Sequence, residues 1–163
     1  HTGVINVDFF IPKGDLGIFE QLGLNLLFTF NSGRPYTPLE NQNILAGASN
    51  FGDTKGYVNS AYGPGSSRLD LKLQKTFNIG KLEVTPYLWV DNVFDQQNTV
   101  NVYPSTGSPY TSVCLNTDEG RAIAAGNPGY AEDYTALERN PGNFGIPRQI
   151  KLGLRLNLAG IYL

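Results

Sequence analysis

The sequence predicts an all-β chain, a set of antiparallel strands forming part of a membrane-spanning β-barrel. Three observations predict it. Leu69, Leu71 and Leu73 alternate with Arg68, Asp70, Lys72 and Gln74 in one unbroken run. A strand sends successive side chains to opposite faces, so this segment has one apolar wall and one charged wall. The two-faced pattern recurs elsewhere in the chain, and short turns alternate with very long loops between the repeats.

The first strand reads roughly Thr2 to Ile11, with Ile5, Val7, Phe9 and Ile11 on one face and Asn6 and Asp8 on the other. Pro12, Lys13, Gly14 and Asp15 break it. The second is about Gln21 to Ser32. There Leu22, Leu24, Leu26, Phe28 and Phe30 lie opposite Gly23, Asn25, Thr29 and Asn31. A loop over 33–67, rich in Asn, Gly, Ser, Pro and Tyr, has no sustained period.

The third strand is 68–77, and a tight turn at Asn78-Ile79-Gly80-Lys81 leads into the fourth, 82–103. Leu82, Val84, Pro86, Leu88 and Val90 face one way; Glu83, Thr85, Tyr87, Trp89 and Asp91 face the other. Proline cannot donate to a sheet ladder, so a bulge is expected at Pro86, and a further interruption near Asn92–Asn98. A second long loop, 104–146, precedes the last strand, 147–158. Its Ile150, Leu152, Leu154, Leu156 and Leu158 oppose Gln149, Lys151, Gly153, Arg155 and Asn157.

Compact soluble domains rarely carry two long structureless loops, whereas outer-membrane barrels pair short periplasmic turns with long external loops. With five strands, every short turn falls at one rim and every long loop at the other. The alternative is a soluble secreted β-domain with one wet face, binding glycan or protein through its loops. The leucine bias of the apolar faces, over the Val/Ile enrichment usual in soluble strands, favours the membrane. Five strands do not enclose a lumen, since the smallest membrane barrels use eight. The remaining strands are therefore expected from chain preceding His1, in keeping with the absence of methionine from the 163 residues.

Composition narrows the function. Net charge is -2 and no basic stripe is visible, so no nucleic-acid partner is expected. The one histidine is His1 and the one cysteine is Cys114, so no catalytic triad can be assembled, and neither an enzyme nor a cofactor is expected. Cys114 reads as an ordinary loop cysteine. Asp118-Glu119 and Glu132-Asp133 read as solvated loop charges rather than as a metal site. Tyr36, Tyr57, Tyr62, Tyr110, Tyr130, Tyr134, Phe51 and Phe144 populate the loops. Arg34, Tyr36, Tyr57 and Tyr62 are the candidate ligand contacts; loop packing and an interfacial aromatic girdle are the plainer reading. Arg68, Asp70, Lys72, Glu83 and Asp91 are expected to face the lumen. Lys75, on the leucine face, lies close enough to the turn to snorkel.

Four segments resemble a known family. Asn31-Ser32-Gly33-Arg34-Pro35-Tyr36-Thr37-Pro38 is similar to the "SGxPYTP" entry into an external loop of TonB-dependent outer-membrane receptors. Arg68-Leu69-Asp70-Leu71-Lys72 resembles their "RLDL" strand. Val90-Asp91-Asn92-Val93-Phe94-Asp95 resembles their "V-x-N-L-F-D/N" segment, and Pro147-Arg148 their last-strand opening. Lys151 to Leu158 resembles the C-terminal assembly signal of outer-membrane barrels, carried here by Lys151, Gly153, Leu156 and Leu158. It departs from that signal in ending on leucine and in continuing through 159–163, where Tyr162 offers an aromatic.

The resemblance implies a fragment of a receptor of about twenty-two strands in the outer membrane of a Gram-negative bacterium. Its N-terminal plug is absent from this chain. The implied activity is active uptake of a scarce nutrient: siderophore, cobalamin, oligosaccharide or peptide. The implied partners are outer-membrane lipid, the rest of the receptor, the TonB complex acting through the plug, and the barrel assembly machinery. A plug-less structural or adhesive outer-membrane barrel is the other alternative.

Overall fold

The computed structural model describes residues 1–41, 43–46 and 52–158. Phe51, Tyr162 and the rest of the 159–163 tail lie outside the described residues. The chain divides into two compact units. The first, the sheet unit, takes residues 2–30, 67–97 and the segment from Ile146 onward; the second, the loop unit, takes His1, 31–66 and 98–145.

The sheet unit is built from β1 (Thr2–Phe10), β2 (Leu22–Asn31), β5 (Ser66–Lys75), β6 (Phe77–Ile79), β7 (Leu82–Asp91) and β8 (Gln149–Leu158). The order across the sheet is β1-β2-β5-β7, with β6 on the same flank of β7 as β5, and β8 on the other flank. Ile11 N–H donates to Leu22 O at 2.9 Å and Gln21 N–H to Ile11 O at 2.7 Å, closing the β1–β2 hairpin. The β6–β7 turn uses Gly80 at φ 62, a left-handed conformation that costs glycine nothing. Ile79 pairs with Leu82 directly across it.

Register makes the two walls continuous. Leu71 pairs with Val90 and Leu73 with Leu88; Val90 pairs onward with Ile150 and Leu88 with Leu152. Phe77 pairs with Val84, and Val84 with Leu156. Each of these rows is apolar from strand to strand. The alternate rows are polar: Lys72–Trp89–Lys151, and Asn78–Glu83–Asn157. None of the apolar-wall side chains within these strands is buried; Leu152 is 81% exposed and Ile150 64%. Ile11, just beyond β1 at the hairpin end, is the buried exception.

Several sequence expectations need correction. The fourth strand does not run to residue 103: β7 ends at Asp91, and Thr99 keeps only an isolated bridge to Phe144. Asn92 and Asp95 both adopt positive φ, 54° and 53°, which folds 92–96 into a turn rather than a kinked strand. No bulge forms at Pro86. It pairs with Leu154 in unbroken register, and β5 and β6 share one register along β7. The missing N–H shows instead on the other flank, where β5 stops at Lys75 and β6 starts at Phe77. There the Thr76 and Thr85 hydroxyls share a hydrogen bond at 2.9 Å. The last strand begins at Gln149 rather than Pro147, and the third at Ser66 rather than Arg68.

Nor are the long loops structureless. The loop unit contains β3 (Pro35–Tyr36) paired with β4 (Ala61–Tyr62), and helices α1 (Asp118–Gly126) and α2 (Tyr130–Glu138). Thr117 caps α1 by accepting Gly120 N–H at 3.0 Å. The paired carboxylates read as loop charges sit in the first turns of the helices, Asp118 and Glu119 on α1, Glu132 and Asp133 on α2. Negative charge there complements the helix dipole.

Candidate functional site

Three places in the fold gather the residues singled out from sequence. The first is a clasp in the sheet unit. Arg68 donates to Asp70 Oδ2 from Nε at 2.9 Å and from Nη2 at 2.6 Å. The other carboxylate oxygen, Oδ1, accepts Asn92 N–H at 2.9 Å. The Asn92 side chain then pins its own turn: Oδ1 accepts Gln96 N–H at 3.0 Å, while Nδ2 donates to Gln96 O at 3.0 Å and to Ile146 O at 3.2 Å. Asp95 Oδ1 accepts Arg148 N–H at 2.8 Å.

Three of the four family-like segments thus meet in one hydrogen-bond network. Asp70 shares the polar face with Lys72, but it is buried and both oxygens are engaged. It is a structural post rather than a free charge. Sequence reading missed Asn92, which is 1% exposed. Its signal was an Asn-bearing turn directly after a strand.

The second place is the rest of the polar wall. Lys72, Glu83 and Asp91 share its face with Asp70. Lys151 Nζ donates to Asp91 Oδ2 at 2.7 Å. Lys72 Nζ lies 5.8 Å and Lys151 Nζ 5.1 Å from the Trp89 ring centroid, within cation–π range. Gly153 stands beneath the Tyr87 ring, so a Cβ there would fall inside the ring's volume. That explains the glycine in the assembly-like segment as a seat for a cross-strand aromatic. Leu156 and Leu158 continue the apolar wall opposite Val84 and Leu82. Lys75, on that wall, carries its ammonium to the Glu20 carbonyl and lies 5.4 Å from the Phe77 ring centroid.

The third place is the loop unit. Arg34 and Tyr36 line a cleft of about 210 Å³ with Pro35, Gly63, Pro64 and residues 99–102. Among the described residues no carboxylate lies within salt-bridge distance of Arg34. Tyr62 pairs with Pro35 on the neighbouring strand, is 69% exposed and does not line the cleft. Tyr57 is exposed and lies apart from it. The four tyrosine-and-arginine candidates therefore do not form one site.

The loop unit has its own small polar core. Tyr134, fully buried, shares a 2.6 Å hydrogen bond with the Ser112 hydroxyl. The buried Glu138 carboxylate accepts Ser112 N–H at 2.6 Å, and Tyr103 OH donates to Glu138 O at 3.0 Å. Burial pushes the Tyr134 phenol up to about 12, against an opposing hydrogen bond from Ser112. Burial also raises Tyr103, with the Glu138 charge adding to it, and Tyr130, with Cys114 adding to it. Cys114 itself is buried.

Among the described residues no group of three or more His, Cys, Asp or Glu side chains could hold a metal. No helix there is long and apolar enough to cross a membrane, which leaves strand-built spans untouched. No protein-family model matches the chain, and neither a curated protein nor a solved structure matches it significantly.

Proposed function

We propose that this chain is the C-terminal barrel portion of a TonB-dependent outer-membrane receptor, a non-enzymatic transporter for active nutrient uptake. One observation carries the reading: an antiparallel sheet with a continuous apolar wall, none of whose strand side chains is buried. In water a sheet's apolar face needs a second layer against it. Hydrocarbon removes that requirement. Ten-residue strands such as β8 rise about 33 Å, and a tilt of about 40° leaves about 25 Å of apolar height, the thickness of an outer-membrane apolar band. The clasp adds support, because it joins family-like segments that are distant in sequence. The cleft at Arg34 and Tyr36 is then where a ligand would first be held.

Site-directed labelling tests the membrane reading. In a Cys114→Ser background of the complete receptor in cells, Leu152→Cys is expected to resist a water-soluble maleimide and to react with a lipid-soluble one. Lys72→Cys is expected to do the reverse. Equal aqueous reactivity at both positions overturns the membrane assignment, and uptake that persists in cells lacking TonB overturns the transport assignment.

A further inference from the structure

We propose that a single internal water molecule bridges the two long loops within the loop unit, giving one hydrogen to Asn41 Oδ1 and bonding onward to Asn43 and Glu119. The bridge does not depend on the membrane reading, because every group in it belongs to the loop unit.

The Asn41 side-chain oxygen is buried and has no hydrogen-bond partner, alone in this among the side-chain nitrogens and oxygens of the described residues. A carbonyl oxygen in that position has given up its hydration and gained nothing in return, and such groups are rare in folded chains. Asn41 also lines a pocket of about 40 Å³. It shares the lining with Asn43 and Gly52 from loop 33–67 and with Cys114, Glu119 and Gly120 from loop 104–146. A pocket needs roughly 10–15 Å³ to hold a water, whose share of the liquid is about 30 Å³. This one therefore takes one water and is too small for an organic ligand.

The walls keep the space open. Gly52 N–H donates to Asn41 O at 2.9 Å, and a Cβ on Gly52 would overlap that oxygen. A Cβ on Gly120 would overlap the Cys114 carbonyl oxygen. Backbone meets backbone on both loops, so no side chain at either glycine fills the gap.

The chemistry of the lining selects the occupant. Asn41 Oδ1 needs a donor, which excludes an anion. A calcium ion takes 6–8 oxygens. Asn43 Oδ1 is already engaged, accepting Tyr130 O–H at 3.2 Å and Leu45 N–H at 3.1 Å. That leaves Asn41 Oδ1 and the Glu119 carboxylate as side-chain oxygens, too few for such an ion. Asn43 keeps its Nδ2 to donate and Glu119 its carboxylate to accept. A water using both hydrogens and one lone pair makes about three bonds there, the usual number for an internal water.

The test compares the full-length protein, purified in detergent, with its Asn41→Leu variant, which keeps the volume and removes the oxygen. An unpaired Oδ1 and a water-paired one give opposite signs. Removing an unpaired buried oxygen relieves the structure and slows amide exchange, whereas removing a bridged one frees the loops and speeds it. Exchange is read at Gly52 on one loop and Gly120 on the other, and we expect both to quicken roughly threefold or more in Asn41→Leu. Slower or unchanged exchange at either glycine overturns the proposal. Crystals of the parent protein are expected to show a density peak about 2.7–3.2 Å from Asn41 Oδ1 that Asn41→Leu abolishes. No peak, a peak that survives in the variant, or an anomalous signal there after a rubidium or manganese soak overturns it as well.

Discussion

The backbone N–H of Asn92 donates to Asp70 Oδ1 at 2.9 Å, tying the turn after β7 to the middle of β5. Asn92 holds φ at 54°, where asparagine is tolerated and most side chains are strained. Asn92→Ala therefore loses the turn's side-chain hydrogen bonds and adds backbone strain. We expect a destabilisation of about 2–4 kcal/mol, read from the denaturation midpoint. Asn92→Gly keeps the backbone relaxed and should fall between that variant and the parent. Equal losses in the two would mean that backbone conformation contributes nothing there.

Leu71 and Lys72 are sequence neighbours on opposite walls. An arginine on the lipid face near the midplane costs about 2–4 kcal/mol. Leu71→Arg is expected to block assembly, followed as heat-modifiable migration on gels, while Lys72→Leu assembles close to normally. Matching behaviour of the two variants would refute the face assignment.

Gly153 lies under the Tyr87 ring, so Gly153→Val must push the ring aside. Stability should drop, and Tyr87→Ala in the same chain should recover part of the loss. A double-mutant cycle measures this coupling, and simple additivity would show that the ring does not seat there.

Tyr134 is protonated up to about pH 12 in the folded chain, against an ordinary value of 10. Its folded value is the higher one. The unfolded chain therefore releases the phenolic proton first, and stability is complete below pH 10 and is lost as pH rises from 10 toward 12. Tyr134→Phe leaves the Ser112 hydroxyl without its partner but removes that alkaline dependence. Comparing urea midpoints across this pH range, wild type against variant, checks the difference.

The strands were legible because a period of two needs only side-chain polarity, and each wall repeats it without relying on distant contacts. The ends of β7 were less legible. Apolar residues continue through Val93, Phe94, Val100 and Val102, and only the positive φ of Asn92 and Asp95, a backbone fact, stops the strand. The helices went unread although Thr117-Asp118-Glu119 is a helix-start signal. Nine-residue helices such as α1, with small residues at Ala122, Ala124 and Ala125, show little apolar stripe. The clasp could not be seen in sequence because its members, Arg68, Asp70, Asn92, Gln96 and Ile146, meet only through strand pairing. Of the ligand candidates, Arg34 and Tyr36 sit close because they flank Pro35 in sequence, Arg34 just before β3 and Tyr36 on it. Tyr57 and Tyr62 were grouped with them by residue type alone, which carries no geometry.

β8 pairs along its whole length with β7 on one side, and no described strand occupies its other side. β1 likewise has β2 alone as its neighbour. A ladder left open at both margins is a template for any compatible strand, including one from another molecule. Prepared by itself, the chain should therefore collect into ribbons or oligomers in proportion to its concentration, and dilution should favour the monomer more effectively than cooling.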